Sequence, residues 1–466
     1  MLTQAENDRL ACVGPGTPGG DLMRRYWQPV AATAWLTSNP VQPVRILGED
    51  LVLYRDKSGG LGLLQQRCPH RGVDLRFGIP TEQGLRCMYH GWHFDAEGRC
   101  LDQPLEPAGS AFKDKTHATA YPVEELGGLV WAYLGPSPTP LLPRWDLFVW
   151  PDAFRHIGGV VLNANWLQCM ENSVDTAHVE YLHGHLWNYV VFDRGNGTGD
   201  LQSDKVLRKN IDAFTRRHVR LAWDTIEHGM LKRRLREGDD PETNSGWTSG
   251  NPIIFPYMIR VGGPIRNEFQ MRIPIDDTHT WHLDYIVFAP GHDIPVPAQD
   301  EIPYYEAPLF DEKGNAILDY IVAQDFAAWW AQLPIADRTA EQLGTSDEGI
   351  ILFRKMLSEQ IRIAQDGGDP INTFRDPAAN RSIEAPDTVR IGLLDGKGDG
   401  LSPTAQDAIY TRDHQIDRFR QVVERRVAAE SLHLFVGRVD RVDRAREAAD
   451  LEFGDHGVAG GSGTLA

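Results

Sequence analysis

Short aliphatic runs recur early in the chain: Val44 to Leu47, Leu51 to Tyr54 and Leu61 to Leu64, separated by Gly or Asp. Runs of this length bounded by turn formers predict small antiparallel strands. Farther on, Phe214 to Ala222, Met230 to Arg236, Phe269 to Ile275 and Thr280 to Phe288 carry the alternation of strands, while stretches near 165 to 182, 318 to 333, 345 to 365 and 405 to 431 carry the helical period. Residues Glu6 to Tyr26 read as a short helix interrupted by the Gly- and Pro-rich stretch Gly14 to Gly20, with Asp21 as N-cap for Leu22 to Tyr26. The segment Gly135 to Pro140 has the composition of an interdomain joint. The fold class is therefore α+β. A helical segment (1–27) packs on the larger domain, a small all-β domain covers 28–140, and the larger domain (141–456) has a curved antiparallel sheet with covering helices. A Gly-rich tail (457–466) is expected to be disordered.

Composition narrows the class. Hydrophobic residues at 41% and charged residues at 24% permit a sizeable core, and 466 residues exceed what one ordinary domain needs. The formal charge of −18 opposes nucleic-acid binding, because polyanions are bound by net positive surfaces. No apolar run approaches the length of a membrane span and the first residues lack the regions of a signal peptide, so a cytoplasmic location away from the membrane is expected. Of five cysteines, Cys12, Cys100 and Cys169 show no framework spacing and read as buried or free thiols.

The other two belong to a pattern. Cys68, His70, Cys87 and His90 stand as Cys-x-His, sixteen intervening residues, Cys-x-x-His. Two thiolates and two imidazoles, the histidines taking two cysteine places on one iron, define a Rieske [2Fe-2S] centre. Pro69, Gly72 and Gly91 supply the tight turns that let two facing loops present such ligands. Structural zinc also accepts two Cys and two His, but zinc modules usually space each ligand pair by two residues or more, and Cys-x-His has one.

A second constellation lies in the larger domain, where Glu171, Asp175 and His178 fall at i, i+4 and i+7, on one face of a regular helix. His183 lies off that stripe, and Gly184 suggests that the helix ends there and lets the imidazole swing inward. Two histidines and one carboxylate on one face of a metal form the site of non-haem Fe(II) oxygenases, with the opposite face open to O₂ and substrate. As a pair, His178 and His183 also suit a buried helix end, and His185 could take the place of His183. Asp175, one turn before His178, can accept the ligand's second N–H and fix its tautomer, or simply cap the helix or pair with an arginine.

The motifs Cys-Pro-His-Arg at 68 to 71, Cys-Met-Tyr-His-Gly-Trp at 87 to 92 and Asn-Trp-x-Gln-x-x-Glu-Asn-x-x-Asp-x-x-His-x-x-x-x-His at 165 to 183 resemble the catalytic α subunit of a Rieske non-haem iron oxygenase. Val13 to Pro18 and Ile275 to Thr280 are most similar to the phthalate dioxygenase branch, which includes aryl O-demethylases such as dehydrodivanillate O-demethylase. The resemblance implies one [2Fe-2S] cluster and one mononuclear Fe(II), the latter held by His178, His183 and, from the matching segment Gln324-Asp325-Phe326, Asp325. Spacing alone does not separate Asp325 from Asp319, Asp337 or Asp347. The resemblance further implies a homo-oligomer (trimer or hexamer) in which Asp175 links His178 to His90 of a neighbouring chain, and an NAD(P)H-dependent reductase, with or without a ferredoxin domain, as electron donor. The reaction expected is oxidation of an aromatic acid with O₂, by monooxygenation or O-demethylation ahead of ring cis-dihydroxylation. A Rieske electron carrier, or a binding protein that has lost its iron, are the rival classes.

Three residues are candidates for substrate contact. In Met230 to Arg236, Arg233 falls between Leu231 and Leu235, opposite Lys232, Arg234 and Arg236. A cation on an apolar face suits an anionic substrate group, or an internal salt bridge equally well. Phe326 and Trp329, with Trp330, flank Asp325 and suit either an aromatic pocket wall or core packing.

Overall fold

The computed structural model describes residues 1–151, 153–194, 205–262, 266–289, 298–311, 313–318 and 321–385. The helix expected near 405 to 431 and the tail from 457 lie outside these residues. The early aliphatic runs form an antiparallel sheet in the order Val41–Ile46, Glu49–Arg55, Leu61–Gln65, Ala120–Tyr121. Four short strands, Ile79–Pro80, Leu85–Arg86, His93–Phe94 and Cys100–Asp102, form a second. Val52, Tyr54, Leu64, Leu85 and Phe94 bury their side chains together, and Cys68 and Cys87 belong to the same core.

A third sheet joins Trp27–Ala32, Leu129–Tyr133 and Val123–Leu126, its central strand buried at every residue. Its side chains merge with the core of the larger domain. Phe148 lies 5.3 Å from Trp131 and 4.7 Å from Tyr285, ring centre to ring centre. The two parts of the chain are thus packed as one hydrophobic unit.

The larger domain is built on an eight-stranded sheet. Its order is His218–Ile226, Gly229–Arg236, Asn251–Ile254, Met258–Gly262, Arg266–Pro274, Thr280–Phe288, Phe154–Leu162, Tyr304–Glu306. All neighbours are antiparallel except the last pair. Thr280–Phe288 is buried at every position, as a central strand covered on both faces must be. The helices Trp166–Val174 and Ile321–Trp330 meet over this sheet, the second burying Phe326 and Trp329 against Val160, Leu162, Ile286 and Phe288. Among the described residues, no helix is long and apolar enough to cross a membrane.

Several local expectations need correction. The strand expected from Phe214 begins at His218, because Phe214 closes the helix Lys205–Phe214. The helix Pro18–Met23 is capped by Thr17, whose hydroxyl accepts from Gly20 N–H at 3.1 Å; Asp21 lies inside it. The stretch from 165 to 182 is not one helix. Trp166–Val174 stops at Asp175, which turns to an extended backbone (φ −64°, ψ 141°). Its carboxylate then accepts from the N–H groups of Ala177 and His178, at 2.7 and 3.1 Å, starting a new helical turn. Aspartate competes for backbone donors in this way, and here that competition defeats the regular period.

Glu171 consequently points away from His178. It is buried with Arg338 (Nη2 to Oε2, 2.7 Å) and Arg354 (Nε to Oε1, 2.6 Å), and Arg338 also donates to Asn7 Oδ1 at 3.0 Å. The cluster ties three helices, Gln4–Ala11, Trp166–Val174 and Glu348–Gln365. Burial opposes the Glu171 charge, yet the two guanidinium groups hold its carboxyl below the usual range. Glu171→Gln strands buried positive charge, so urea unfolding is expected to show a loss of about 3–5 kcal/mol; a change below about 1 kcal/mol would deny the cluster this structural role.

Candidate active site

Two loops of matching design carry the Cys/His pattern. Gly72 N–H donates to Cys68 O at 2.9 Å and Gly91 N–H to Cys87 O at 3.1 Å, with both glycines at positive φ (71° and 74°). Cys68 N–H donates to Val73 O and Cys87 N–H to Trp92 O, closing each loop. The sulfurs are buried, whereas His70 is exposed and His90 half-exposed, their ring centres 4.6 Å apart. Trp92 stacks on His70 at 4.3 Å. Burial, opposed by the backbone N–H groups of His70 and Arg71 but reinforced by the Cys87 sulfur, pushes the Cys68 thiol up to about 11. Paired thiolates in such a place need a positive centre between them, so these four side chains fit an iron-sulfur cluster, with the histidines on the outward side.

The second group lies beneath the large sheet. His183 Nε2 is 3.3 Å and His178 Nε2 3.7 Å from Asp325 Oδ1, and one donor atom from each residue falls within 4.8 Å of the others. Each imidazole is oriented by its other nitrogen. Nδ1 of His178 lies 3.1 Å from Asp175 Oδ2, and Nδ1 of His183 lies 2.9 Å from Gln324 Oε1, leaving both Nε2 atoms for a metal. Gln324 is itself fixed by donating to Leu318 O at 2.9 Å, and Asn172 donates to Asp325 Oδ1 at 3.2 Å. Burial disfavours charge on Asp325, but His183, His178 and Arg272 bring it down to about 2, so it is a carboxylate at neutral pH. Burial likewise lowers His178 and favours the neutral imidazole that a metal requires.

His183 reaches this position by a route different from the one expected. The backbone does not end its helix at Gly184 but continues through a π-helical segment, Tyr181–Leu186. His178 sits in the short α-helical turn His178–Glu180, and His183, five residues later, lies in the wider π turns that follow it. Gly184 serves by close approach: a Cβ there would lie 2.8 Å from the Phe214 carbonyl carbon. His185 is exposed and packs on Tyr181. Asp337 and Asp347 are surface caps, bonded to Thr339 and Gly344; Asp319 lies outside the described residues.

A cavity of about 380 Å³ opens beside His178, His183 and Asp325. Val179, Phe214, Ile259 and Ile321 give it apolar walls, and Lys232, Arg234, Arg236 and Arg272 make it cationic. Burial, then Arg234, pushes Lys232 down to about 7; burial, then Arg236, pushes Arg234 down to about 9. Arg233 is not on this wall. Its Nε pairs with Asp224 at 2.7 Å and its Nη1 donates to the carbonyls of Trp247 and Thr248, so the internal salt bridge holds. The alternation was correct, but the face of the strand carrying Leu231 and Leu235 is turned away from the cavity. Phe326 and Trp329 are core residues, with Phe326 5.0 Å from the His282 ring, while Trp330 is exposed.

Residues 26–121 match the Rieske [2Fe-2S] domain family and residues 312–390 the family described as LigXa C-terminal domain like. The oxygenase subunit of 5,5'-dehydrodivanillate O-demethylase from Sphingobium sp. (strain NBRC 103272 / SYK-6) is 39% identical over 85% of this chain and 89% of its own. The chain belongs to the Rieske non-haem iron oxygenases. The oxygenase subunit of phthalate 4,5-dioxygenase from Pseudomonas putida is 30% identical over 80% of this chain and 89% of its own. A carbazole-bound oxygenase of carbazole 1,9a-dioxygenase, solved in complex with ferredoxin, shares the fold at a TM-score of 0.51, with 20% identity over 82% of this chain and 99% of that one. As a Rieske oxygenase this chain carries a [2Fe-2S] cluster and a mononuclear iron, oxidises an aromatic substrate and draws on a separate electron-transfer protein.

Gln324, Asn172 and the inward cations Lys232 and Arg234 were not assigned to the Rieske oxygenase site from sequence. For Lys232 and Arg234 the signal was present in the two-residue spacing. For Gln324 and Asn172 it was not, because their partners lie 141 and 153 residues away. Gln324→Leu removes the acceptor that orients His183, and iron affinity measured by chelator competition is expected to fall roughly 10- to 100-fold with the cluster absorbance unchanged. Wild-type iron affinity in this variant would show that His183 needs no such partner.

Proposed function

We propose that the chain is the oxygenase component of an aryl O-demethylase or related monooxygenase acting on an aromatic acid. The observation that carries this reading is the 39% identity to a dehydrodivanillate O-demethylase oxygenase subunit, over 85% of this chain. His178, His183 and Asp325 hold the iron, and Cys68, His70, Cys87 and His90 hold the cluster. Bound in these places, the iron supplies O₂ activation and the cluster supplies single electrons.

The chain's own residues set the rest. Asp175 and Gln324 fix the imidazoles so that the three donors occupy one side, and the cavity lies on the other. In the net demethylation, a methoxy C–H becomes C–OH, using one oxygen atom of O₂. The other oxygen leaves as water with two electrons and two protons, and the hemiacetal then splits its methyl-side C–O bond to give a phenol and formaldehyde. Ring cis-dihydroxylation is the second reading, favoured by the 30% identity to a phthalate 4,5-dioxygenase oxygenase subunit. Incubation with a reductase, NADH or NADPH, and methoxylated aromatic acids should release formaldehyde in proportion to O₂ consumed; diol formation with no formaldehyde would select the second reading.

Electrons come from an NAD(P)H-dependent reductase, directly or through a ferredoxin, which places the reaction in the cytoplasm. The cluster that Cys68, His70, Cys87 and His90 would hold would take up these electrons, and Asp175, bonded to His178, would link that side chain to His90 of a neighbouring copy in a trimer or hexamer. The support for this path is that Asp175 is bonded to His178 and that His70 and His90 are the outward side of their loops. Asp175→Asn should leave the cluster reducible but slow its substrate-dependent reoxidation by about 10- to 100-fold, measured by stopped-flow absorbance. Reoxidation at the wild-type rate would remove Asp175 from the path.

A further inference from the structure

The inward face of the strand Gly229–Arg236 presents three cations in succession, Lys232, Arg234 and Arg236, to the cavity beside the metal-binding side chains. Two of them have protein partners. Lys232 Nζ donates to Asp175 O at 3.1 Å, and Arg236 Nη1 donates to Ala213 O at 3.2 Å. Arg272, on the same wall, donates to Gln270 Oε1 at 2.9 Å and lies over the Trp329 ring. Arg234 is different: among the described residues its side chain makes no hydrogen bond and no ion pair. Its nearest carboxylate, Asp239, is already taken by Arg216 at 2.6 Å and by Arg236 N–H at 3.1 Å.

A half-buried guanidinium that faces the cavity, with cations on both sides and no protein acceptor, is an open site for an anion. We infer that Arg234 is the anchor for the carboxylate of an aromatic acid substrate, with Lys232 as a second donor on the side toward the metal. The five N–H donors of Arg234 match a carboxylate in bidentate fashion. The apolar walls at Val179, Phe214 and Ile259 receive the ring. Two residues of strand separate Arg234 from Lys232, about 6.6 Å, the span of one substituted benzene ring, so a carboxylate on Arg234 directs the opposite side of the ring toward His178 and Asp325. Arg234 is a specificity residue and Arg233, spent on Asp224, is its internal control.

This inference rests on the cavity being the substrate site, and its test separates it from the choice of reaction. Calorimetric titration of the cluster- and iron-loaded protein uses methoxylated benzoic and biphenyl carboxylic acids, each beside its methyl ester. The wild type is expected to bind at least one acid, and to prefer it to the ester by tenfold or more. Arg234→Leu should lose roughly 10- to 100-fold of acid affinity with ester affinity unchanged. Arg234→Lys should recover part of the loss, and Arg233→Leu should match the wild type. Equal affinity for acid and ester, no binding of any acid, or wild-type acid affinity in a folded Arg234→Leu would each overturn the assignment. If Arg234→Leu does not fold, the acid-to-ester ratio of the wild type decides alone. Acid binding that depends on Arg234 without formaldehyde release sustains the anchor and removes demethylation; formaldehyde from ester and acid alike, independent of Arg234, does the reverse.

Discussion

The carboxylate of Asp175 governs the geometry on which the larger domain depends. One oxygen accepts from the Ala177 N–H and the other from the N–H and the imidazole of His178, so a single side chain ends one helix, starts the next and orients a metal-binding ring. A continuous helix would have needed no such group and could not have turned His178 toward Asp325. The charge that enforces the break is partly buried, and His178 together with backbone donors keeps the carboxyl below its ordinary range despite that burial. Backbone conformation and metal chemistry therefore share one anion.

Around this break the domain is rigid where charges must be held. Glu171, one helical turn earlier, takes no part in metal binding but fastens the helix to Arg338 and Arg354 from two later segments. On the cavity side, Lys232 donates to the backbone carbonyl of Asp175 itself. Lys232 on the neighbouring strand is thus joined directly to the segment bearing His178.

Much of this was legible in the chain. The cysteine and histidine spacing, the glycines at 72 and 91 and the alternation of Thr280–Phe288 are local patterns, and local patterns survive folding. The candidate ligand Asp325 is reached by resemblance, since one aspartate among several has no local mark. What could not be read was set by distant partners or by competition. The regular period over 165 to 182 failed because Asp175 captured backbone donors. Arg233 was preferred to Arg234 because an apolar face was taken to be the inner one, whereas the inner face of that strand lines a polar cavity.

The π-helical segment Tyr181–Leu186 has a consequence for how such a site can arise. In an α-helix each residue advances about 100° around the axis, so residues four apart share a side and residues five apart do not. Wider winding from Tyr181 onward accompanies the approach of His183, five residues after His178, to the same side of the chain. The same two histidines in a regular helix would face apart. The candidate ligand geometry of this domain is accordingly sensitive to local backbone winding in a way that its core is not.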